Sequence, residues 1–383
     1  MTDDGNELPA PRRISGNRLP DDISMSIHAP RADCASFLSR LTANDESCRI
    51  VLPWSMFWTQ VRYRGGVHLP SIDLWLDPHG RREWAFISHA HSDHIAAHDT
   101  VMLSEGTFRF VCQRGMSPRQ AVVLPFGEAR DIEGVRFTLH PAGHILGSAQ
   151  LLAEVDDRRI LYSGDFKLRA NHAAERIAIP RADVLIMETT FGNARYRFPP
   201  EAETIAAMAA WCDNCLTDGV VPVLLGYSLG KGQEILAALD GHGYRFLLHD
   251  ALYRTTRLAE ELGAVFPPYA FWTPEEGATF EPTTVVLCPP HLRKWIKPKL
   301  PPARFAIISG WAADPRARYR YGTEAAFCLS DHADYPDLLD YVAQVQPTRV
   351  YTVHGHAAEF AGDLRRRGYD ASALDEADQL ELF

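Results

Sequence analysis

The stretch Ser88-His89-Ala90-His91-Ser92-Asp93-His94, directly after the apolar run Trp84-Ala85-Phe86-Ile87, limits the fold more than any other part of this chain. A short apolar run of this kind reads as a buried strand. A strand that stops and places His89, His91, Asp93 and His94 within six residues has gathered good zinc ligands in one loop. Neutral imidazole and carboxylate, with no thiolate nearby, suit a catalytic zinc better than a structural one, because structural sites lean on cysteine and close every position. The alternative is a polar surface loop rich in histidine, but such a loop has no need of this spacing.

The same pattern recurs along the chain. Val135 to His140 is strand-like and leads to His144, Arg159 to Tyr162 leads to Asp165, Val184 to Met187 leads to Glu188, and Arg349 to Val353 leads to His354. Each run ends in a residue that can bind metal or hold a ligand in place, which is how a sheet delivers groups to one edge. Gly143, Gly147 and Gly164 would let the backbone turn where a Cβ would crowd it. His68 to Leu76 also reads as one strand. Between Phe191 and Tyr321, helical patterns at Glu201 to Leu216 and Lys231 to Leu239 alternate with strand patterns at Val220 to Gly226, Phe246 to His249, Thr284 to Cys288 and Phe305 to Ser309. That alternation predicts an α/β unit inserted before His354. Residues 1 to about 50 carry four prolines and few aromatics and read as a disordered tail, with a helical hint only at Ala35 to Thr42; Met25 and Met56 are alternative starts.

With 383 residues, 46% hydrophobic and 23% charged, the chain can bury a large core and fill two domains. No apolar stretch approaches membrane-spanning length, so no membrane partner is expected. Seven scattered cysteines and an N-terminus without a basic and apolar export pattern predict a reducing cytoplasm. Cys212 and Cys215 read as core positions on a helix.

The net charge of -10 excludes a generally basic coat, yet His291 to Tyr321 holds eight basic residues against Asp314 alone, a local charge of +7. Trp295, Trp311, Tyr319 and Tyr321 lie among these charges, so the run reads either as a solvated rim or as a phosphate-and-base surface that includes Arg316, Arg318 and Arg320. Gly226-Tyr227-Ser228-Leu229-Gly230-Lys231 fails as a P-loop, since three residues separate its glycines and Gly232 stands where Ser or Thr is needed. Such a turn opening a helix can still hold an anion on free N–H groups with Lys231 alongside.

Taken together, His89-x-His91-x-Asp93-His94, His144, Asp165 and His354 resemble the metallo-β-lactamase fold, an αββα sandwich. Glu188-Thr189-Thr190-Phe191-Gly192 before the insert and Ser330-Asp331-His332-Ala333-Asp334 after it resemble the β-CASP branch of nucleases. Within that branch, Pro141 to Gln150, Gly226 to Lys231 and Ser309-Gly310-Trp311 are most similar to the bacterial ligase-associated DNA exonuclease group. The resemblance divides the chain into a first metallo-β-lactamase part at 51–194, an inserted α/β β-CASP domain at 195–322 and a second metallo-β-lactamase part at 323–383.

It also implies two zinc ions, one held by His89, His91 and His144, the other by Asp93, His94 and His354, with Asp165 bridging. Asp93, Asp165, Glu188 and His332 form the implied catalytic group, Glu188 orienting His332 and His332 giving a proton to the leaving oxygen. Two zincs about 3.5–4 Å apart lower the pKa of bound water toward about 7 and neutralise charge on a phosphate. The implied activity is DNA exonuclease action in repair beside an ATP-dependent DNA ligase. RNA cleavage stays open, because a histidine at position 354 is associated with RNA-acting members, while His356 departs from their usual pattern. A hydrolase of small thioesters or a non-catalytic scaffold are the other classes; the first needs neither the insert nor His332, and the second loses ligands that are all present here.

Overall fold

The computed structural model describes residues 61–274 and 280–374. The expected tail at 1–50, the helical hint at Ala35 to Thr42, and Met25 and Met56 lie outside the described residues. In chain order the strands begin with β1 (Arg62–Tyr63), β2 (Val67–Leu69), β3 (Leu74–Leu76), β4 (Trp84–Phe86), β5 (Thr100–Leu103) and β6 (Gln120–Val123). These form one sheet in sequence order, antiparallel through β3 and parallel after it. The single strand expected over His68 to Leu76 is therefore two. Pro70 and the positive φ of Asp73 turn the chain back on itself, and Ile72 N donates to Leu69 O.

The next strands are β7 (Ala129–Ile132), β8 (Val135–Pro141), β9 (Ala149–Val155), β10 (Arg158–Tyr162) and β11 (Val184–Glu188). Six more, β12 (Val221–Leu225), β13 (Arg245–His249), β14 (Tyr269–Trp272), β15 (Thr284–Cys288), β16 (Ala303–Ile308) and β17 (Ala325–Phe327), make a separate sheet. The chain then returns with β18 (Arg349–Val353) and β19 (Asp370–Ala373), which join the second sheet in the order β19-β18-β11-β10-β9-β8-β7.

Side-chain alternation explains how the first two sheets stack. Ile160, Tyr162, Val184, Ile186 and Val353 point toward Leu74, Leu76, Phe86 and Met102 of the first sheet, while Leu161, Leu185, Met187 and Val350 point the other way. That other face is covered by two helices, Tyr335–Val345 and Ala357–Arg366, through Leu338, Tyr341, Val342, Phe360 and Leu364. Strands buried on both faces read as continuous apolar runs, which is why β10, β11 and β18 were visible in the sequence. Asp334 caps the first of these helices by accepting from Asp337 N at 3.0 Å. A helix at Glu105–Gln113, capped by Ser104, lies against the first sheet's outer residues through Phe108, which packs with Ile87, Val101 and Leu103. The result is the αββα sandwich.

The inserted sheet is wholly parallel, in the order β14-β13-β15-β12-β16-β17. Helices at Glu201–Thr217, Lys231–Ala238 and Asp250–Glu261 cover one face with Met208, Cys212, Ile235, Leu236 and Leu252. Cys212 and Cys215 are buried in the first of these helices, as their pattern predicts.

Candidate metal centre

Strand register brings the sequence-distant groups to one edge. Glu188, the last residue of β11, pairs with Val353, the last of β18, so His354 leaves the sheet beside it. Tyr162 of β10 pairs with Ile186, so Ser163-Gly164-Asp165 emerges at the same level, and Leu76 pairs with Phe86 ahead of Asp77 and His89. Gly164 takes φ +53, and a Cβ there would meet the Ser88 Cβ at 2.6 Å, so the loop carrying Asp165 can close on the His89 loop only with glycine. His354 itself adopts φ 60, a left-handed conformation that costs a non-glycine residue about 1–2 kcal/mol.

At this edge the His91 Nδ1 lies 3.0 Å from His89 Nε2 and 3.1 Å from His144 Nε2. Nitrogens bound to one tetrahedral zinc at about 2.0–2.1 Å stand roughly 3.3 Å apart, so this trio has the spacing of a ligand set. Their outer nitrogens agree. His91 Nε2 donates to the Leu229 carbonyl at 3.1 Å and His144 Nδ1 to the Asp331 carbonyl at 2.8 Å. A carbonyl only accepts, so each proton sits on the outer nitrogen and the inner lone pair faces the cluster. Burial holds all three rings in the neutral form that a metal requires: it lowers His89 well below the usual range, lowers His91, and lowers His144 to about 4.

The neighbouring group comprises His89, His94 and Asp165. Asp165 Oδ2 is 3.3 Å from His94 Nε2, 3.6 Å from His89 Nε2 and 4.0 Å from His144 Nε2, so it stands between the two clusters. His94 Nδ1 is 3.0 Å from Asp77 Oδ2, and the rings of His94 and His354 are 5.8 Å apart. Burial works against charge on His94, yet Asp165 and Asp77 outweigh it and push its pKa well up. Two carboxylates thus ask for positive charge at this point, which a metal cation would supply in place of a proton. Asp93 sits at the rim, with its side chain 76% exposed and 3.9 Å from His94 Nε2.

His332 faces the same space, its ring 4.5 Å from that of His144. Its Nδ1 is 2.8 Å from Glu188 Oε1, and buried Glu188 also accepts from Phe166 N at 2.9 Å and Thr190 N at 3.2 Å. Burial would lower His332, but Glu188, helped by Asp165 and Asp331, raises it to about 10.

Lys231 departs from the open anion site expected of it. Its amino group is buried, 2.5 Å from Glu234 and 3.7 Å from Asp331, and therefore serves carboxylates of the chain itself. The turn before it is closed as well, since Gly232 N donates to Tyr227 O and Gly230 N to Gln233 Oε1. Arg316, Arg318 and Arg320 are exposed on or beside a short helix, Ala317–Tyr321, where Arg318 contacts Tyr319 and Arg320 contacts Asp314. These side-chain contacts are local and none reaches the imidazoles.

Asp77 was not singled out from sequence, although it accepts from Ser88 N, Ser88 Oγ and Tyr162 Oη as well as contacting His94. The signal was there: a carboxylate directly after the apolar run Leu74-Trp75-Leu76 repeats the pattern that marked Asp165 and Glu188.

Comparison with known proteins bears on this geometry. Residues 326–374, which carry His332 and His354, match the RMMBL family, the Zn-dependent metallo-hydrolase RNA specificity domain. A probable DNA ligase of Opitutus terrae is 46% identical over 335 residues, 86% of this chain and 32% of that protein. The transcription termination factor FttA of Pyrococcus abyssi is 26% identical over 333 residues, 69% of this chain and 51% of the factor. The cleavage and polyadenylation specificity factor 73 of Drosophila melanogaster is 32% identical over 158 residues, 38% of this chain and 22% of the factor. The chain thus spans about a third of the length of the ligase relative and about half that of FttA.

Proposed function

Since the chain belongs to the metallo-β-lactamase-fold, β-CASP family, we propose that it is a zinc-dependent phosphodiester hydrolase of nucleic acid, and more narrowly a DNA exonuclease. The observation that carries this reading is the convergence of His89, His91, His144, His94 and Asp165 on one strand edge with the inner nitrogens of His91 and His144 turned toward one another and their protons on the outer nitrogens.

In this reading His89, His91 and His144 would hold one zinc and Asp93, His94 and His354 the second, with Asp165 available to both. The ions, when bound, supply an activated water and neutralise charge on the phosphate. Glu188 fixes the His332 ring through Nδ1, which leaves Nε2 as the atom that delivers a proton to the leaving oxygen. Arg316, Arg318 and Arg320 contact phosphates along the strand away from the scissile bond. The inserted domain, expected to end at 322 but with a sheet that runs on through Ala325–Phe327, forms the other wall of the substrate path.

The relative named as a probable DNA ligase supports DNA as substrate and a DNA ligase as partner; action in repair within the cytoplasm extends that reading. A specific observation favours RNA as the second reading: the matched segment at 326–374 is described by RNA specificity, and relatives named for RNA processing align with the chain. Zinc-loaded protein assayed on labelled single-stranded DNA, duplex DNA, RNA and a thioester separates these. Stepwise loss of terminal nucleotides from DNA is the expected result; turnover of thioester with nucleic acids left intact would overturn the nuclease reading.

A further inference from the structure

Of the candidate metal ligands, four histidines have a partner on the outer nitrogen, and these partners come from two different parts of the chain. His89 Nδ1 meets Ser88 Oγ at 3.0 Å and His94 Nδ1 meets Asp77, both partners lying in the sandwich itself. His91, by contrast, is held by Leu229 O, a backbone group of the inserted sheet's Gly226–Lys231 turn. His144 is held by Asp331 O, and the Asp331 carboxylate faces Lys231 of that same turn.

Behind this contact lies a buried ion-pair chain. Lys231 pairs with Glu234, Glu234 pairs with Lys167 two residues beyond Asp165, and Lys167 reaches Glu201 of the insert at 2.7 Å. Gly230 lets the turn lie this close: it takes φ +88, and a Cβ there would stand 2.2 Å from Ile145 Cγ2 and 4.0 Å from His91 Nε2.

We infer that the Gly226–Lys231 turn of the inserted domain is a positioning element for one metal position only, that of His89, His91 and His144, so that docking of the insert and uptake of that metal are coupled. The inference rests on the two-metal reading above and adds which part of the chain governs which ion. Coupling of this kind is reciprocal: whatever draws the turn toward His91 tightens the first metal, and the metal in turn holds the insert against the sandwich. The second position, anchored by Asp77, stays independent of the insert.

Zinc titration of the full chain against a competing chelator tests this. Gly230→Ala wedges the turn away from Ile145, and Lys231→Met removes its hold on Asp331. Each is expected to weaken one of two zinc equivalents roughly 10–100-fold, the cost typical of losing a ligand's outer partner. The other equivalent keeps its affinity, and Lys231→Arg restores most of the loss. Asp77→Asn, which loses a direct contact to His94 and touches His89 only through Ser88 Oγ, is expected to weaken chiefly the other equivalent. A folded Gly230→Ala or Lys231→Met protein that binds both equivalents unchanged, or loses both equally, overturns the coupling while leaving the metal reading intact. Wild-type protein that takes up no zinc overturns both. Should the variants fail to fold, hydrogen exchange on the wild-type chain reads the same coupling: zinc slows exchange across 226–234, and unchanged exchange there overturns it.

Discussion

The imidazole edge and the helix at Ala317–Tyr321 both concentrate groups suited to phosphate chemistry, but they hold them under opposite conditions. His89 and His144 are wholly buried, and each ring has a named partner on its outer nitrogen. Arg316, Arg318 and Arg320 are exposed, and Tyr319 between them is 71% exposed. Burial with fixed partners suits an ion of one size and geometry, because the cost of orientation is met by the fold beforehand. Exposed guanidinium groups suit a polymer whose phosphates arrive in any register, where each contact is weak, screened by salt and additive along the strand. Chemistry is thus expected at the buried edge, and affinity without chemistry along the exposed helix.

The sharpest way to break this contrast is at Asp165, whose Oδ2 lies within 4.0 Å of three imidazoles. Asp165→Asn should take hydrolysis below detection and reduce bound zinc, measured by elemental analysis beside a nuclease assay; full activity would detach the chemistry from this edge. His332→Ala should slow turnover about 10²–10⁴-fold while zinc content stays constant, since the ring acts on the leaving group and holds no metal in this reading. An equal loss of zinc would recast His332 as a ligand. Asp77→Asn, which alters the partner of His94, should weaken zinc binding about 10–100-fold, with a corresponding rise in the zinc needed for half-maximal rate. The smallest effect belongs to the exposed helix. Neutralising Arg316, Arg318 and Arg320 together should leave turnover at saturating substrate unchanged and lower the slope of log K against log salt by about 0.7 per lost contact on single strands. An unchanged slope would make these residues a solvated rim.

What could be seen in the sequence follows the same division. The strands that deliver groups to the metal edge were legible because doubly buried runs such as Val184–Glu188 and Arg349–Val353 are continuously apolar, the inserted α/β unit because helix and strand patterns alternate, and the αββα sandwich only through the family resemblance. The loop from His89 to His94 was legible because its spacing serves little but metal. Asp77 escapes a sequence reading because the apolar pattern of His68 to Leu76 runs on through the turn that separates β2 from β3 and sends Asp77 to the edge. The helix at Asp250–Glu261 escaped as well, its few apolar positions lying among charges. Lys231 departs for a different reason: of its two carboxylate partners Glu234 is one helical turn away, but Asp331 lies a hundred residues on and Lys167, which shares Glu234, lies well before it, and no local pattern reveals that these bury the lysine.

The pairing of β18 with β11 joins residues 349–353 to 184–188. During translation, the ribosome must therefore finish the whole inserted sheet before this strand exists to dock, and His354 arrives only with it. A nascent polypeptide consequently carries most of its imidazoles for about ten seconds or more before the strand that brings His354 can dock.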